Sequence, residues 1–165
     1  MKIYLAGPDV FRPDAQHWAE ESRALCRRYG FDPLTPMDPP ATGDPSEIFQ
    51  ANLVLIRKAQ IIVANLDPFR GAEPDSGTCF ELGYAAGLGK KLFGYVSSGE
   101  TVVERVRCIE GQGTDLSSME HPIDRHGHGI EDFQLTHNLM LAMSVQIVIG
   151  GLDDCLKAIR PRSAT

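Results

Sequence analysis

Short apolar runs that alternate with stretches of helical periodicity constrain the fold of this chain more than any other feature. Such runs lie at residues 3–6, 60–66 and 91–96, and the second is rich in β-branched side chains, as buried strands are. Between them, apolar residues recur at the three- or four-residue spacing of helices. Strands that alternate with helices in this way form a parallel sheet with right-handed crossovers. The sequence therefore predicts an α/β fold, a flavodoxin-like or Rossmann-like parallel sheet flanked by helices on both faces.

The expected helices have recognisable starts and apolar faces. One helix follows the proline-rich segment 31–45, for which a surface loop with a brief strand is expected, and Ser46 is its predicted N-cap. The next helix begins near Ser76. Its apolar residues recur at helical spacing and are Phe80, Tyr84 and Leu88. A helix at 101–107, and a strand and a helix within 145–159, complete the predicted elements.

Length and composition indicate a packed globular protein. The 165 residues fit one compact domain, taken as 1–165, and 42% of them are hydrophobic. The formal net charge of −6, without a run of Lys or Arg, argues against nucleic acid polymers as partners. No run approaches the roughly 20 apolar residues that span a bilayer. Because the first residues resemble a strand and not a signal peptide, we expect no membrane association and a cytoplasmic location.

Cysteine, histidine and glycine positions give no indication of a metal or a cofactor. The four cysteines form no CxxC pair, which argues against a zinc site and against a disulfide framework. His121, His126 and His128 lie close together, but without a recurring ligand spacing. The glycines do not form the GxGxxG pattern of a dinucleotide site. Neither a metal nor a cofactor is therefore expected.

The loops after the first strand and the central strand carry the candidate site, because ligands of open parallel sheets bind at the carboxyl ends of the strands. Asp75 and Glu81 are six residues apart with Gly77 between them, so both carboxylates can face one pocket. Cleavage of an N-glycosidic bond builds positive charge on the sugar, which a carboxylate stabilises and can trap covalently. On spacing alone, an N-capping Asp and an exposed helix Glu remain the alternative.

The charge expected for Glu81 suits a nucleophile. A glutamate with its usual pKa of about 4.3 is ionised at neutral pH, and a helix N-terminus favours the charged form further. Glu81 is therefore expected to react without a separate base.

The segment 74–85, PDSGTCFELGYA, closely resembles the signature of the nucleoside 2-deoxyribosyltransferases, which is an Asp, then a Gly, then Glu-Leu-Gly. The segments IYLAGP near the N-terminus, FRG before the signature and NLM near the C-terminus resemble further parts of the family in the same order. The likeness spans about residues 3–143. It implies that Glu81 is the nucleophile, that Asp75 binds the sugar hydroxyls and that Tyr4 orients the nucleophile.

The resemblance also implies how the substrate is held. Asn138 and Met140 fall on residues that family members insert into the pocket of the neighbouring subunit, where they contact the 5' end of the sugar. A homo-oligomer built from dimers is therefore implied. Phe11, which shares the first loop with Gly7, would lie near the base as a stacking face, although an aromatic residue there is as often part of the core.

Asn52 departs from the pattern of many family members, which have Asp at this position to help protonate the departing base. An Asn side chain has no acidic proton to give, so the base would be protonated by water, by Asp67 or by another acid. Weak activation of the leaving base is the further alternative, and because some relatives also have Asn here, it would reduce the activity in degree only.

Three functions are compatible with these residues. In the first, Glu81 displaces the base of a 2'-deoxynucleoside, and a free nucleobase then attacks the deoxyribosyl-enzyme ester. In the second, a 2'-deoxynucleoside 5'-monophosphate N-hydrolase uses a similar Glu with water, but Asp9 in the first loop would repel a phosphate. The third is a non-catalytic nucleotide-binding module, which needs no nucleophile at the sugar carbon. We therefore expect transfer of 2-deoxyribose between nucleobases.

Overall fold

A five-stranded sheet forms the centre of the computed structural model, which describes residues 1–39, 43–110 and 122–159. The strands are β1 (Lys2–Ala6), β2 (Asp32–Leu34), β3 (Ile61–Asn65), β4 (Lys91–Val96) and β5 (Gln146–Ile149). Their order is β2-β1-β3-β4-β5, and every neighbouring pair is parallel. This is the flavodoxin-like order of a doubly wound sheet, so the predicted sheet is confirmed.

Helices connect and cover the strands. They are α1 (Ala15–Arg28), α2 (Pro45–Lys58), α3 (Ser76–Gly87), α4 (Val102–Glu110), α5 (Leu139–Ser144) and α6 (Leu152–Ile159), with a 3-10 helix at Pro8–Phe11. None of the helices in the described part of the chain is long and apolar enough to cross a membrane.

Two apolar clusters fill the space between the sheet and its helices. Alternate strand residues point to opposite faces, so Tyr4 and Ile62 pack with α2 and α3, whereas Ile3 and Val63 pack with α1 and α6. The second cluster includes the buried thiol of Cys155. Helices therefore cover both faces of the sheet, as predicted.

The start of α2 differs from the prediction. Asp44, and not Ser46, is the N-cap, because its carboxylate accepts a hydrogen bond from the backbone N–H of Ser46 at 2.7 Å. Pro45 follows as the first helical residue. Asp is a stronger N-cap candidate when Pro follows it, since Pro has no N–H to satisfy and its fixed φ suits a first helical turn.

The buried face of α3 also differs from the prediction. Phe80 is 54% exposed and Leu88 is 42% exposed, whereas the buried residues of this helix are Thr78, Leu82 and Ala85. Both sets have helical spacing, and α3 is apolar on nearly all sides, so the spacing alone did not distinguish them. Phe80 instead contacts Phe49 of α2, with 5.9 Å between the ring centroids.

Local structure elsewhere follows the prediction in part. The proline-rich segment contains the expected brief strand, β2, and α4 lies where a helix was expected. The 3-10 helix and α5 were not predicted, because four and six residues are too few to show a period.

The strand order reverses at β1, so the connection leaving β1 and the connection leaving β3 run to opposite sides of the sheet. Ligands of open parallel sheets bind in the crevice that forms at such a point. Gly7 and the 3-10 helix follow β1, and the segment that leads to α3 follows β3. These are the segments that carry the predicted site.

Candidate active site

Tyr4 and Glu81 are joined by a hydrogen bond between a buried strand and a helix. The phenol of Tyr4, which is fully buried in β1, donates to Oε1 of Glu81 at 2.7 Å. Tyr4 belongs to the apolar cluster that also contains Leu82 of α3. The packing of α3 on the sheet therefore fixes the position of the Glu81 carboxylate.

Burial raises the pKa of Glu81 to about 7; the hydrogen bond from Tyr4 lowers it and the nearby carboxylate of Asp75 raises it. The expectation of an ordinary glutamate pKa was wrong. That expectation considered only the position of Glu81 in the helix, whereas loss of hydration is the largest influence in the folded chain. Near neutral pH the protonated and ionised forms of Glu81 are both populated.

Asp75 is the N-cap of α3. Its Oδ2 accepts hydrogen bonds from the backbone N–H of Thr78 at 2.8 Å and from the hydroxyl of Thr78 at 2.9 Å. A Cβ atom on Gly77 would lie 3.1 Å from the same Oδ2, so the glycine leaves room for this cap. No residue in the described part of the chain donates to Oδ1. The capping interpretation and the substrate-binding interpretation of Asp75 are thus compatible.

A cavity of about 760 Å³ lies beside these carboxylates, within the range of small-molecule sites. Six of the residues selected from the sequence line it, namely Gly7, Phe11, Asn52, Asp75, Gly77 and Glu81. Tyr4 reaches the cavity only through its hydrogen bond to Glu81. The structure therefore brings together seven residues that are distant in the sequence.

Phe11 is 57% exposed, so it belongs to the cavity wall and not to the core. Its ring is stacked on that of Phe69, with 5.5 Å between centroids and 13° between the ring planes. The guanidinium of Arg70 lies 5.1 Å from the Phe11 centroid and 4.6 Å from the Phe69 centroid, within cation–π range. These contacts hold an aromatic face at the cavity.

Asn52 carries an unsatisfied polar atom. Its Oδ1 is buried and has no hydrogen-bond partner within the described residues. A buried acceptor without a partner costs about 1–3 kcal/mol. Other atoms of Asn52 line the cavity, so a turn of the amide would bring this oxygen to a bound molecule.

Asp67, Asn138 and Met140 are not among the residues that line the cavity. Oδ1 of Asp67 accepts hydrogen bonds from the backbone N–H and the hydroxyl of Ser97, at 2.7 and 2.8 Å. Asn138 caps α5 through Oδ1 and donates from Nδ2 to Glu131 at 2.8 Å. Met140 is 72% exposed. Asp67 is thus not positioned to protonate a base in this cavity.

Asp9 does not face the cavity as the sequence suggested. It is only 6% exposed, and its Oδ2 accepts a hydrogen bond from Nδ2 of Asn65 at 2.9 Å. Burial raises the pKa of this carboxyl. Gly7, with φ of 154°, allows this turn, and a Cβ atom there would lie 2.8 Å from Cβ of Asn65. Asp9 is therefore directed into the protein and is not among the residues that line the cavity.

Several cavity residues were missed in the sequence. Those on α2 are Glu47, Ile48 and Ala51, and those on the proline-rich segment are Pro36, Met37 and Pro39. Ile48 lies one helical turn before Asn52, so a prediction that Asn52 faces the cavity would also have placed Ile48 there. In the second group, no sequence feature beyond the prolines indicates a position at the cavity.

No group of three or more His, Cys, Asp or Glu side chains in the described residues is arranged to hold a metal ion. His126 and His128 lie in an exposed turn with 6.4 Å between their ring centroids, and His121 lies outside the described residues.

Comparison with solved structures shows two similar 2-deoxyribosyltransferases. The enzyme from Leishmania mexicana is 33% identical with a TM-score of 0.79, and the match covers 99% of both chains. The enzyme from Bacillus psychrosaccharolyticus is 25% identical with a TM-score of 0.51, over 61% of this chain and 75% of that one. A CMP N-glycosidase of Clostridium botulinum, at 12% identity and a TM-score of 0.52 over 96% of this chain and 98% of that one, shares the fold alone.

Comparison of sequences gives the same result. An uncharacterized protein of Schizosaccharomyces pombe is 34% identical over 119 residues, which are 67% of this chain and 56% of that protein. The chain thus spans little more than half the length of this relative. Residues 3–140 match the family described as nucleoside 2-deoxyribosyltransferase. With this match over most of its length, the chain belongs to the nucleoside 2-deoxyribosyltransferase family.

Proposed function

We propose that this protein transfers 2-deoxyribose between nucleobases through a covalent ester on Glu81. The observation that carries the proposal is the position of the Glu81 carboxylate, which is held by the Tyr4 phenol and lines a cavity together with Asp75. A structural glutamate on an exposed helix face would need neither the buried phenol nor the cavity. We propose nucleotide salvage in the cytoplasm as the role of this base exchange.

In the first half of the reaction, an oxygen of ionised Glu81 attacks C1' of a 2'-deoxynucleoside. The bond between C1' and the base nitrogen breaks, and its electron pair leaves with the base. The hydrogen bond from Tyr4 holds Oε1, so Oε2 is the oxygen directed to the sugar carbon. A deoxyribosyl ester of Glu81 and a free base result.

In the second half, a ring nitrogen of the incoming base attacks C1' and Glu81 departs as a carboxylate. Two inversions at the same carbon restore the original anomer. The unpartnered Oδ1 of Asp75 is proposed to accept a hydrogen bond from a sugar hydroxyl, and Phe11 is proposed to stack on the base. Both roles fit residues that line the cavity beside Glu81.

The neighbouring subunit of a homo-oligomer is proposed to complete the site with Asn138 and Met140. The side chain of Met140 is 72% exposed, which suits insertion into a second copy. Glu131 holds the loop that presents it, since its carboxylate binds Nδ2 of Asn138 and the backbone N–H of Leu139 at 2.8 and 2.9 Å.

The test is chromatography of 2'-deoxyinosine or thymidine incubated with the protein and excess adenine. We expect 2'-deoxyadenosine to form with the wild type but not with Glu81→Gln or Glu81→Ala. The control is Glu100→Gln, which removes an exposed carboxylate outside the cavity. Exchange by either Glu81 variant at the wild-type rate would refute the assignment of the nucleophile. Tight nucleoside binding without any base release would indicate a non-catalytic binding module instead.

Hydrolysis of 2'-deoxynucleoside 5'-monophosphates is the second candidate function. Asp9, which was expected to repel a phosphate, is buried, hydrogen-bonded to Asn65 and not among the residues that line the cavity. Arg70, which has no ion pair or hydrogen bond in the described part of the chain, places a cation against Phe11 at the cavity wall. A clear preference for the monophosphate over the nucleoside, lost in Arg70→Gln, would favour this function over transfer.

A further inference from the structure

The departing base must receive a proton, and neither Asn52 nor Asp67 is placed to supply one. As a purine or pyrimidine leaves with the electron pair of the broken bond, a proton from an acid lowers the barrier. Asn52 has an amide in place of a carboxyl, and Asp67 is bound to Ser97 outside the cavity wall. Water or another acid in the cavity is left as the source of the proton.

Glu47 is the carboxyl that lines the cavity besides Asp75 and Glu81. It lies in the first turn of α2, and Ala51, one helical turn later, lines the same cavity. The face of α2 that carries Glu47 therefore continues toward Asn52. Glu81 belongs to a different helix, α3, so the proton source and the nucleophile approach the substrate from separate elements.

The other two carboxyls of the cavity are already engaged, whereas Glu47 is not. Asp75 caps α3 through Thr78, and Glu81 accepts the Tyr4 hydrogen bond. Glu104, which like Glu47 lies in the first turn of a helix, accepts hydrogen bonds from Thr101. Glu47 makes no hydrogen bond or ion pair within the described residues. Its side chain is exposed to water.

We propose that Glu47 is the general acid that protonates the departing base, and that Asn52 holds the base beside it. The inference rests on the proposed transferase function. The carboxylic acid of Glu47 gives its proton to a ring nitrogen of the base as the bond to C1' breaks and the bond from Glu81 forms. Glu47 is left as a carboxylate. In the second half it takes the proton back from the incoming base, so a complete transfer neither consumes nor releases a proton.

The orphaned Oδ1 of Asn52 supports this arrangement. Once the amide turns toward the cavity, a base that donates an N–H group to this oxygen satisfies a buried acceptor that has no partner in the described residues. The base is then held on the wall of the cavity formed by α2, where Glu47 also lies. Asn52 is thus a positioning residue, and Glu47 supplies the proton that an amide does not have.

The leaving group provides the test. We would compare Glu47→Gln with the wild type on 2'-deoxyinosine and on 7-methyl-2'-deoxyguanosine, whose base is already cationic and departs without a proton. We expect base release from 2'-deoxyinosine to fall about 100-fold, and release from the methylated substrate to stay within about threefold of the wild-type rate. Glu100→Gln, which lies outside the cavity wall, should leave both rates unchanged.

A second variant keeps the result independent of folding. Adding Asn52→Asp to Glu47→Gln returns a carboxyl to the same helix, and we expect it to restore part of the lost rate on 2'-deoxyinosine. Equal losses on both substrates, or no loss on either, would overturn the role of Glu47 while leaving the transferase intact. A wild-type protein that releases base from neither substrate would overturn the proposed function itself.

Discussion

Replacing Glu81 with Gln should stabilise the folded protein at alkaline pH and leave its stability almost unchanged near pH 4.5. The carboxyl of Glu81 has an ordinary pKa of 4.5, which folding raises to about 7 chiefly through burial. Below 4.5 it is protonated in the folded and the unfolded chain alike. As the pH rises from 4.5 to 7, the unfolded chain releases this proton first, so Glu81 progressively destabilises the folded state. Above 7 both states are ionised and the cost stays constant.

The size of the effect follows from the two pKa values. A difference of one in pKa corresponds to about 1.4 kcal/mol, so a rise from 4.5 to about 7 gives about 3 kcal/mol at pH 8. A chain of this length changes its melting temperature by about 2–4 °C per kcal/mol. The melting temperature of Glu81→Gln should therefore exceed that of the wild type by roughly 6–12 °C at pH 8. The Gln side chain also offers an oxygen to the Tyr4 hydroxyl, so the hydrogen bond is kept.

The assay is urea unfolding of wild type and Glu81→Gln at several values between pH 4.5 and 8. The two proteins share nearly all other titrating groups, so these cancel when the free energies of unfolding are subtracted. Glu100→Gln, which removes an exposed carboxylate outside the cavity wall, is the control for loss of a carboxylate elsewhere in the chain. A constant difference for Glu81→Gln, or one that falls as the pH rises, would refute the conclusion that burial controls this carboxyl.

Three further outcomes follow from the same structure. The kcat/KM for base release from 7-methyl-2'-deoxyguanosine, whose base departs without a proton from Glu47, should rise with pH along an acidic limb with an apparent pKa of about 7, because ionised Glu81 is the nucleophile. A limb near 4.5 would contradict the burial of this group. Tyr4→Phe should move that limb upward by about 1–2 pH units, because the Tyr4 hydrogen bond lowers the pKa of Glu81, and an unmoved limb would deny this role. Gly94→Ala should lower the free energy of unfolding by about 1–3 kcal/mol in a denaturant titration, without moving the acidic limb. A Cβ atom at position 94 would lie 2.5 Å from Cδ1 of Leu66 and 3.2 Å from Cγ1 of Val145. An unchanged denaturant midpoint for Gly94→Ala would contradict this prediction and would mean that the side chains around position 94 move to make room for the methyl group.

Periodicity was sufficient to predict the sheet but not the details of the helices. The β-branched run that became β3 predicted a buried central strand, because such a run suits a strand buried on both faces. The buried face of α3 could not be predicted in the same way, because Phe80 and Leu82 each belong to a row of apolar residues with helical spacing. Packing against β3 and α2 decides between the rows, and a single sequence does not contain that information.

The candidate site was predictable where a residue's type and its family position agree. Glu81, Asp75 and Gly77 lie on one segment, so their proximity follows from a few residues of chain. Glu47 belongs to a helix that starts some thirty residues earlier, and its approach to the cavity depends on how α2 packs. Asn138 and Met140 lie outside the cavity of their own chain, as residues that serve a second copy would. Their role is a property of an assembly and remains a prediction.

The carboxylates Asp9, Glu47 and Glu81 show why charge in a sequence does not predict charge in a site. The sequence places an acid at each position, yet Asp9 turns into the protein to meet Asn65, and Glu47 stays exposed at the cavity. Glu81 lies between these extremes, because it is desolvated enough to hold a proton near neutral pH and open enough to line the cavity. Removing water from a carboxylate makes it costlier to ionise, and it also removes the hydration that a nucleophile must lose before it attacks. The burial through which Glu81 destabilises the folded protein above pH 7 is therefore the same property that prepares this carboxylate to react.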